Sequence, residues 1–187
     1  NNTPENIKNL KICFQIIEDF KYNGILLLSF FKRGFSDMVK NHSDKAAELF
    51  CNGCNCAQAV FGAFAEDCGL DVNTALKLSS SFGGGMGRLR EVCGAVTGMF
   101  MVAGLLSGYT DNDTKEAKDN HYKLIQQLAN EFKEVHSTYI CKDLLKNIET
   151  STSPISSPRT EAYYKARPCV RFVVTASEIL DKHYFSE

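Results

Sequence analysis

The chain has 187 residues, with 21 Lys and Arg against 22 Asp and Glu, a net charge of -1. That length suits one domain with a sizeable core, and the balanced charge leaves neither a basic surplus for nucleic acid nor an acidic tail for a basic partner. Thirteen Phe and no Trp predict an aliphatic core with phenyl rings, and eight Cys is high enough to ask what they do.

Residues 1–37 read as an N-terminal extension. Ile25 to Phe31 is apolar but too short to cross a bilayer, and Lys32 and Arg33 follow it rather than precede it, the wrong order for a secretory signal. Lys32-Arg33-Gly34 is also what a purine-rich ribosome-binding site encodes, and Met38 follows it. The expectation is that the native chain starts at Met38, with a real N-terminal helical arm as the competing view. Residues 38–187 then form a single domain.

From there the pattern is helical throughout. Ser43 is expected to cap a helix carrying Ala46, Ala47, Leu49 and Phe50, broken by Cys51-Asn-Gly-Cys-Asn-Cys. Asn55 caps a second helix with Ala59, Val60, Ala63 and Phe64 on one face, ended by Cys68-Gly69. Asp71 or Asn73 caps a short third, and Phe82-Gly-Gly-Gly-Met-Gly-Arg is a loop. Residues 90–106 read as the most apolar helix, a core element too short for a membrane span. Asp111 or Asp113 should cap a long amphipathic helix to about Val135, and Thr138 a short one carrying Cys141. Residues 149–160 are a Ser/Thr/Pro-rich loop, and Pro168 opens the last helix. No segment alternates as a strand would. The fold class is all-α, a compact bundle of about six helices.

In this scheme Cys56, Cys93, Cys141 and Cys169 each fall at the start of a helix. Helix N-termini carry partial positive charge and free N–H donors, which favour thiolate, the form that binds metal and attacks disulfides. With no secretory signal, cysteines at this density point to metal, clusters or thiol redox chemistry in the cytoplasm. Cys51-xx-Cys54 adds half of a zinc site or a redox pair. Cys68 reads as structural and Cys13 as having no part. The glycines Gly84, Gly85 and Gly87 would let backbone N–H groups approach a sulfur site closely; the plainer reading is a flexible turn. Gly94, Gly98 and Gly104 read as close-packing positions, within the chain or between two copies in a homodimer. Arg88 and Arg90 either offset thiolate charge or face solvent. His42, His121, His136 and His183 read as surface residues.

Three segments together resemble a known bacterial and archaeal family: Asn55-Cys-Ala-Gln-Ala-Val; the glycine loop with Glu91-Val-Cys-Gly-Ala-Val-Thr-Gly; and Cys141-Lys-Asp-Leu-Leu followed by Pro168-Cys169. The chain is similar there to the redox-active family named for its cysteine pattern, C-GCAxxG-C-C. The resemblance covers roughly residues 43–183 and implies that Cys56, Cys93, Cys141 and Cys169 are the family cysteines. A related domain in the split-Soret cytochromes is associated with an iron–sulfur centre beside haems. Haem attachment does not carry over, because residue 55 is Asn and no His follows Cys54. Cys54 itself departs from the family, which usually has an aromatic residue there.

Three functions follow. The first is an electron-transfer or redox-sensing protein whose four cysteines ligate an iron–sulfur cluster, most simply 2Fe–2S, fed by a redox partner protein because no nucleotide or flavin motif is present. The second is a thiol–disulfide protein cycling the same cysteines without a cofactor. The third is a structural zinc protein, with the long separations between cysteines against it. Neither nucleic acid nor a membrane is an expected partner, and no Ser-His-Asp or paired-carboxylate arrangement marks a conventional enzyme.

Overall fold

A computed structural model of the chain describes residues 4–22, 41–148 and 150–186. Among them nine α-helices run in the order α1 Pro4–Tyr22, α2 His42–Cys51, α3 Cys56–Ala63, α4 Val72–Ser79, α5 Gly94–Ser107, α6 Lys115–His136, α7 Cys141–Leu144, α8 Glu161–Ala166 and α9 Cys169–Tyr184, with a 3-10 turn Ser80–Phe82 after α4. The class is all-α, as the sequence predicts. Helix α8, which lies in no expected element, and α1 account for the larger number. Met38 and the apolar stretch Ile25–Phe31 lie outside the described residues. The only pairing of extended backbone among them is an isolated antiparallel bridge, Val92 with Ile140.

Helix α3 sits at the centre. It packs against α2, α4, α5 and α9, and α9 in turn touches α1, α2, α5 and α6. The reason is local: from Ala57 to Ala63 the helix buries every residue but Gln58, so it can be stable only when surrounded. Helix α9 buries Phe172, Val173, Ala176, Ile179 and Leu180 on its inner side. Gly94 and Gly98 bring α5 onto α3. A Cβ on Gly98 would stand 2.9 Å from the Ala57 carbonyl oxygen, and one on Gly94 would stand 3.0 Å from that of Phe82. These small residues are therefore used inside the chain. Gly104 has open space around it.

Helix α1 contributes Leu10, Cys13 and Ile17 to the core. Cys13, expected to play no part, is disulfide-bonded to Cys51 of α2. Among the described residues no helix is long and apolar enough to cross a membrane.

Several caps differ from those expected, each for a reason in hydrogen bonding. Asn41, rather than Ser43, caps α2, its side-chain oxygen accepting from the Asp44 N–H and from the Ser43 hydroxyl. Thr114 caps α6 because the Asp113 carboxylate is turned back to the Thr110 N–H and hydroxyl. Helix α5 begins at Gly94 and not near Arg90, since Cys93 N–H is already committed to the Tyr139 carbonyl and Arg90 has a positive φ of 66°. Asn55 and Asp71 cap as predicted, Asn55 in a reciprocal box with Gln58.

The histidines are not all at the surface. His42 is half-buried between Asp67 and Asp181 and stacks on Phe64. His136 is half-buried against Phe132 and Phe172 and shares a 2.9 Å hydrogen bond with the Thr175 hydroxyl. Burial, then the charge of Arg171, lowers its pKa from 6.5 to about 4. Below pH 6.5 the unfolded chain takes up this proton and the folded one does not, so stability is full above 6.5 and falls as pH drops toward 4. The urea midpoint should therefore be lower at pH 5 than at pH 7, and His136→Gln should flatten that dependence. Parallel profiles for the two proteins would show that His136 is not responsible.

Candidate redox site

Each of the four family cysteines stands at a helix start. Cys56 is the first residue of α3, behind the Asn55 cap. Cys93 is itself the N-cap of α5. Cys141 opens α7, and Cys169 opens α9 directly after Pro168. The Val92–Ile140 bridge ties two of them together: Cys93 N–H donates to the Tyr139 carbonyl at 2.8 Å and Cys141 N–H to that of Glu91 at 2.6 Å. Sequence separations that looked long thus close in space, because four helices point their N-terminal ends at one spot. All four cysteines line a single cavity of about 50 Å3.

The thiols are electrostatically linked. Cys56 has a lowered pKa, chiefly because the Cys169 thiol hydrogen-bonds to it; Arg159, the Cys56 N–H and Arg167 add to the effect against the penalty of burial. Cys169 is raised well above the usual thiol value by that same bond, then by burial and the neighbouring sulfurs. Cys93 is raised well above it by burial, Cys56 and Cys141. Cys141 is raised by burial and Cys56, with a hydrogen bond from Arg90 acting against them. Of the four, Cys56 is therefore the thiol that most readily gives up its proton, and Cys169, with Cys93, keeps it most firmly.

The glycine loop forms one wall. Gly84, Gly85, Met86, Gly87 and Arg88 all have positive φ, between 60° and 74°. Such a left-handed run is unfavourable for residues with a Cβ, which is why three of the five are glycine. The turn is closed by Met86 N–H to the Phe82 carbonyl and Arg88 N–H to that of Gly83. Gly84 and Gly85 line the cysteine cavity; Gly87 does not, and faces a second cleft outside it. Of these three, Gly85 has the least room, since a Cβ there would fall 2.6 Å from that of Cys141.

Cys51 and Cys54 are not brought to this cavity. Cys51 is buried in its bond to Cys13. Cys54 is half-buried, and its carbonyl accepts from Arg159 at 3.1 Å. Burial raises the Cys54 thiol, with Arg159 opposing. Three lining residues escaped the sequence reading: Arg159, Tyr163 and Arg167. Arg159 ends the Ser/Thr/Pro-rich loop and its guanidinium stacks 4.7 Å from the Tyr163 ring centre; Arg167 lies 5.0 Å from the same ring. The signal available was an arginine on either side of a short Thr160-capped helix, next to Cys169. Arg90, left open between two roles, is 5 % exposed and belongs to the cavity.

As placed, no group of three or more His, Cys, Asp or Glu side chains among the described residues could hold a metal ion. The four cysteines nevertheless line one cavity. Arg90, Arg159 and Arg167 line the same cavity, so guanidinium groups stand beside the four cysteines.

Neither a curated protein nor a solved structure matches the chain. The family model described as "Putative redox-active protein (C_GCAxxG_C_C)" matches residues 54–183, a span that holds the four cavity cysteines and the glycine loop, and the chain belongs to that family.

Proposed function

We propose that the cavity is an electron-transfer centre in which Cys56, Cys93, Cys141 and Cys169 hold an iron–sulfur cluster, most simply of the two-iron type. The observation that carries this reading is that four cysteines from four separate helix starts line one cavity. A bound cluster would supply one-electron transfer. The chain's own contribution is charge and exclusion of water: helix starts aim N–H groups at the sulfurs, and Arg90, Arg159 and Arg167 offset the negative charge of thiolates. Four cysteines drawn from separate segments, with no close pair among them in sequence, suit a polynuclear group better than a single zinc ion. Electrons would come from and go to a partner protein.

A second reading has its own support in the coupling of Cys56 and Cys169, which line the same cavity and shift each other's pKa in opposite directions. A thiolate with a thiol donor beside it is the arrangement of a dithiol that cycles. Oxidation would form one S–S bond between them, passing two electrons and the Cys169 proton to a disulfide of the partner, which would take a second proton from water and be reduced to two thiols.

An absorption spectrum of protein purified without oxygen, with iron, zinc and acid-labile sulfide determined, tests both. Visible absorption with stoichiometric iron and sulfide supports the cluster. Colourless protein that forms a Cys56–Cys169 disulfide on mild oxidation supports the second reading. Zinc alone overturns both.

A further inference from the structure

Beside the cysteine cavity, across the glycine loop, lies a wider cleft of about 310 Å3. Arg88, Arg90, Arg159 and Arg167 line it, and among the described residues no Asp or Glu does. Among the described residues none of the four is paired with a carboxylate. Their side chains are held by neutral groups. Arg88 donates to the Ser153 carbonyl at 2.5 Å, Arg90 to that of Ser151 at 2.7 Å and Arg159 to that of Cys54 at 3.1 Å, while Arg167 rests on Tyr163. Carbonyls and rings fix the direction of a guanidinium without cancelling its charge. Two buried N–H groups, Arg90 Nε and Arg159 Nη1, have no acceptor among the described residues. A buried donor without a partner is rare in native proteins, and a bound anion is one arrangement that would satisfy it. The backbone is unusual here too, since Arg88 and Arg90 both sit at positive φ, at 74° and 66°; such backbone persists where the surroundings impose it.

We propose that this cleft binds a small molecule through an oxyanion, a phosphate or a carboxylate, seated on the four guanidinium groups at the mouth of the cysteine cavity. Arginine forks match both groups with paired N–H donors. The cleft's volume is that of a small metabolite rather than a macromolecular groove. Sulfur charge in the cysteine cavity does not remove the need for such an anion. Arg90, Arg159 and Arg167 line both spaces, but Arg88 lines only the outer one. Burial, then the like charges of Arg90 and Arg167, already lowers the Arg88 pKa, and an anion between them relieves that repulsion. The ligand would then lie next to the redox centre. The site stands whether the cysteines hold a cluster or cycle as thiols.

Isothermal titration calorimetry on the full chain as purified, at low ionic strength, tests it with inorganic phosphate and, separately, succinate. Saturable one-to-one binding of either is expected, phosphate alone marking a phosphorylated ligand and succinate alone a carboxylate. Arg88→Gln should weaken it about tenfold or more, the loss of one charge-assisted contact, and Arg88→Lys should recover part of the loss. Because Arg88 also holds the 151–153 segment, Arg167→Gln is a second, independent variant with the same expected weakening. The proposal is overturned if neither probe binds, if binding is unchanged in both glutamine variants, or if only an oligoglutamate peptide binds, which would make the cleft a docking face for an acidic protein.

Discussion

Gly85→Ala is expected to destabilise the protein by about 2–5 kcal/mol and to disorder the cysteine site. Two costs combine. The residue sits at φ +70°, where a side chain costs roughly 1–2 kcal/mol. The new methyl would also meet atoms that cannot rotate away: the Cys141 Cβ at 2.6 Å, the Glu91 nitrogen at 2.9 Å and the Arg90 carbonyl carbon at 3.0 Å. Overpacking of this kind costs about 1–3 kcal/mol. Relief requires the loop to move away from α7, which carries Cys141, so the site opens as well. Gly87→Ala is the internal control. It has a similar φ of +60°, but its nearest neighbour would be the Ser81 carbonyl oxygen at 3.5 Å, so about 1 kcal/mol is expected from backbone strain alone. Urea unfolding of the two variants measures the difference. Equal midpoints would mean that the loop is not pressed against Cys141.

Cys93→Ser separates the two redox readings with the largest change in signal. If the four cysteines hold one cluster, this variant should lose most of its iron and visible absorption, as should Cys56→Ser, Cys141→Ser and Cys169→Ser, because each removes one of four ligands. If the chemistry belongs to the Cys56–Cys169 pair alone, only the two variants at those positions should lose function. Cys93→Ser would then still form the disulfide, with Cys93 acting as a small buried side chain. The readouts are iron content for the first case and mass-spectrometric detection of the Cys56–Cys169 bond for the second. Iron retained in all four variants would sink the cluster reading, and no Cys56–Cys169 bond in either the parent protein or Cys93→Ser would sink the other. Serine in place of buried Cys93 changes little volume, so a folded protein is expected in either case.

Much of this was legible in the chain itself. Helical spacing of apolar residues, Asn55 ahead of Cys56 and Pro168 ahead of Cys169 place two of the four thiols at helix starts, because capping is a local matter of one side chain and three or four residues of backbone. The all-α class follows from the same local patterns. The glycines of the 83–87 loop announce a backbone that side chains would obstruct, and the sequence by itself puts Cys93 and Cys141 near the starts of helices.

What only the tertiary structure decided is who meets whom. Cys93 and Cys141 are joined by a bridge between two short extended pieces, which have no periodicity to betray them. Cys51 looked like a partner for Cys54 because they are neighbours in sequence, but it faces α1 and bonds to Cys13 instead. Arg159 and Arg167 look like ordinary surface charges until α8 is folded against the rest, bringing them over Tyr163 and beside Cys169. Local sequence determines how each helix begins. The concentration of sulfur and positive charge at one point depends on packing between segments far apart in the chain, and that packing is set by the combined shape of all the buried faces, not by any one stretch of residues.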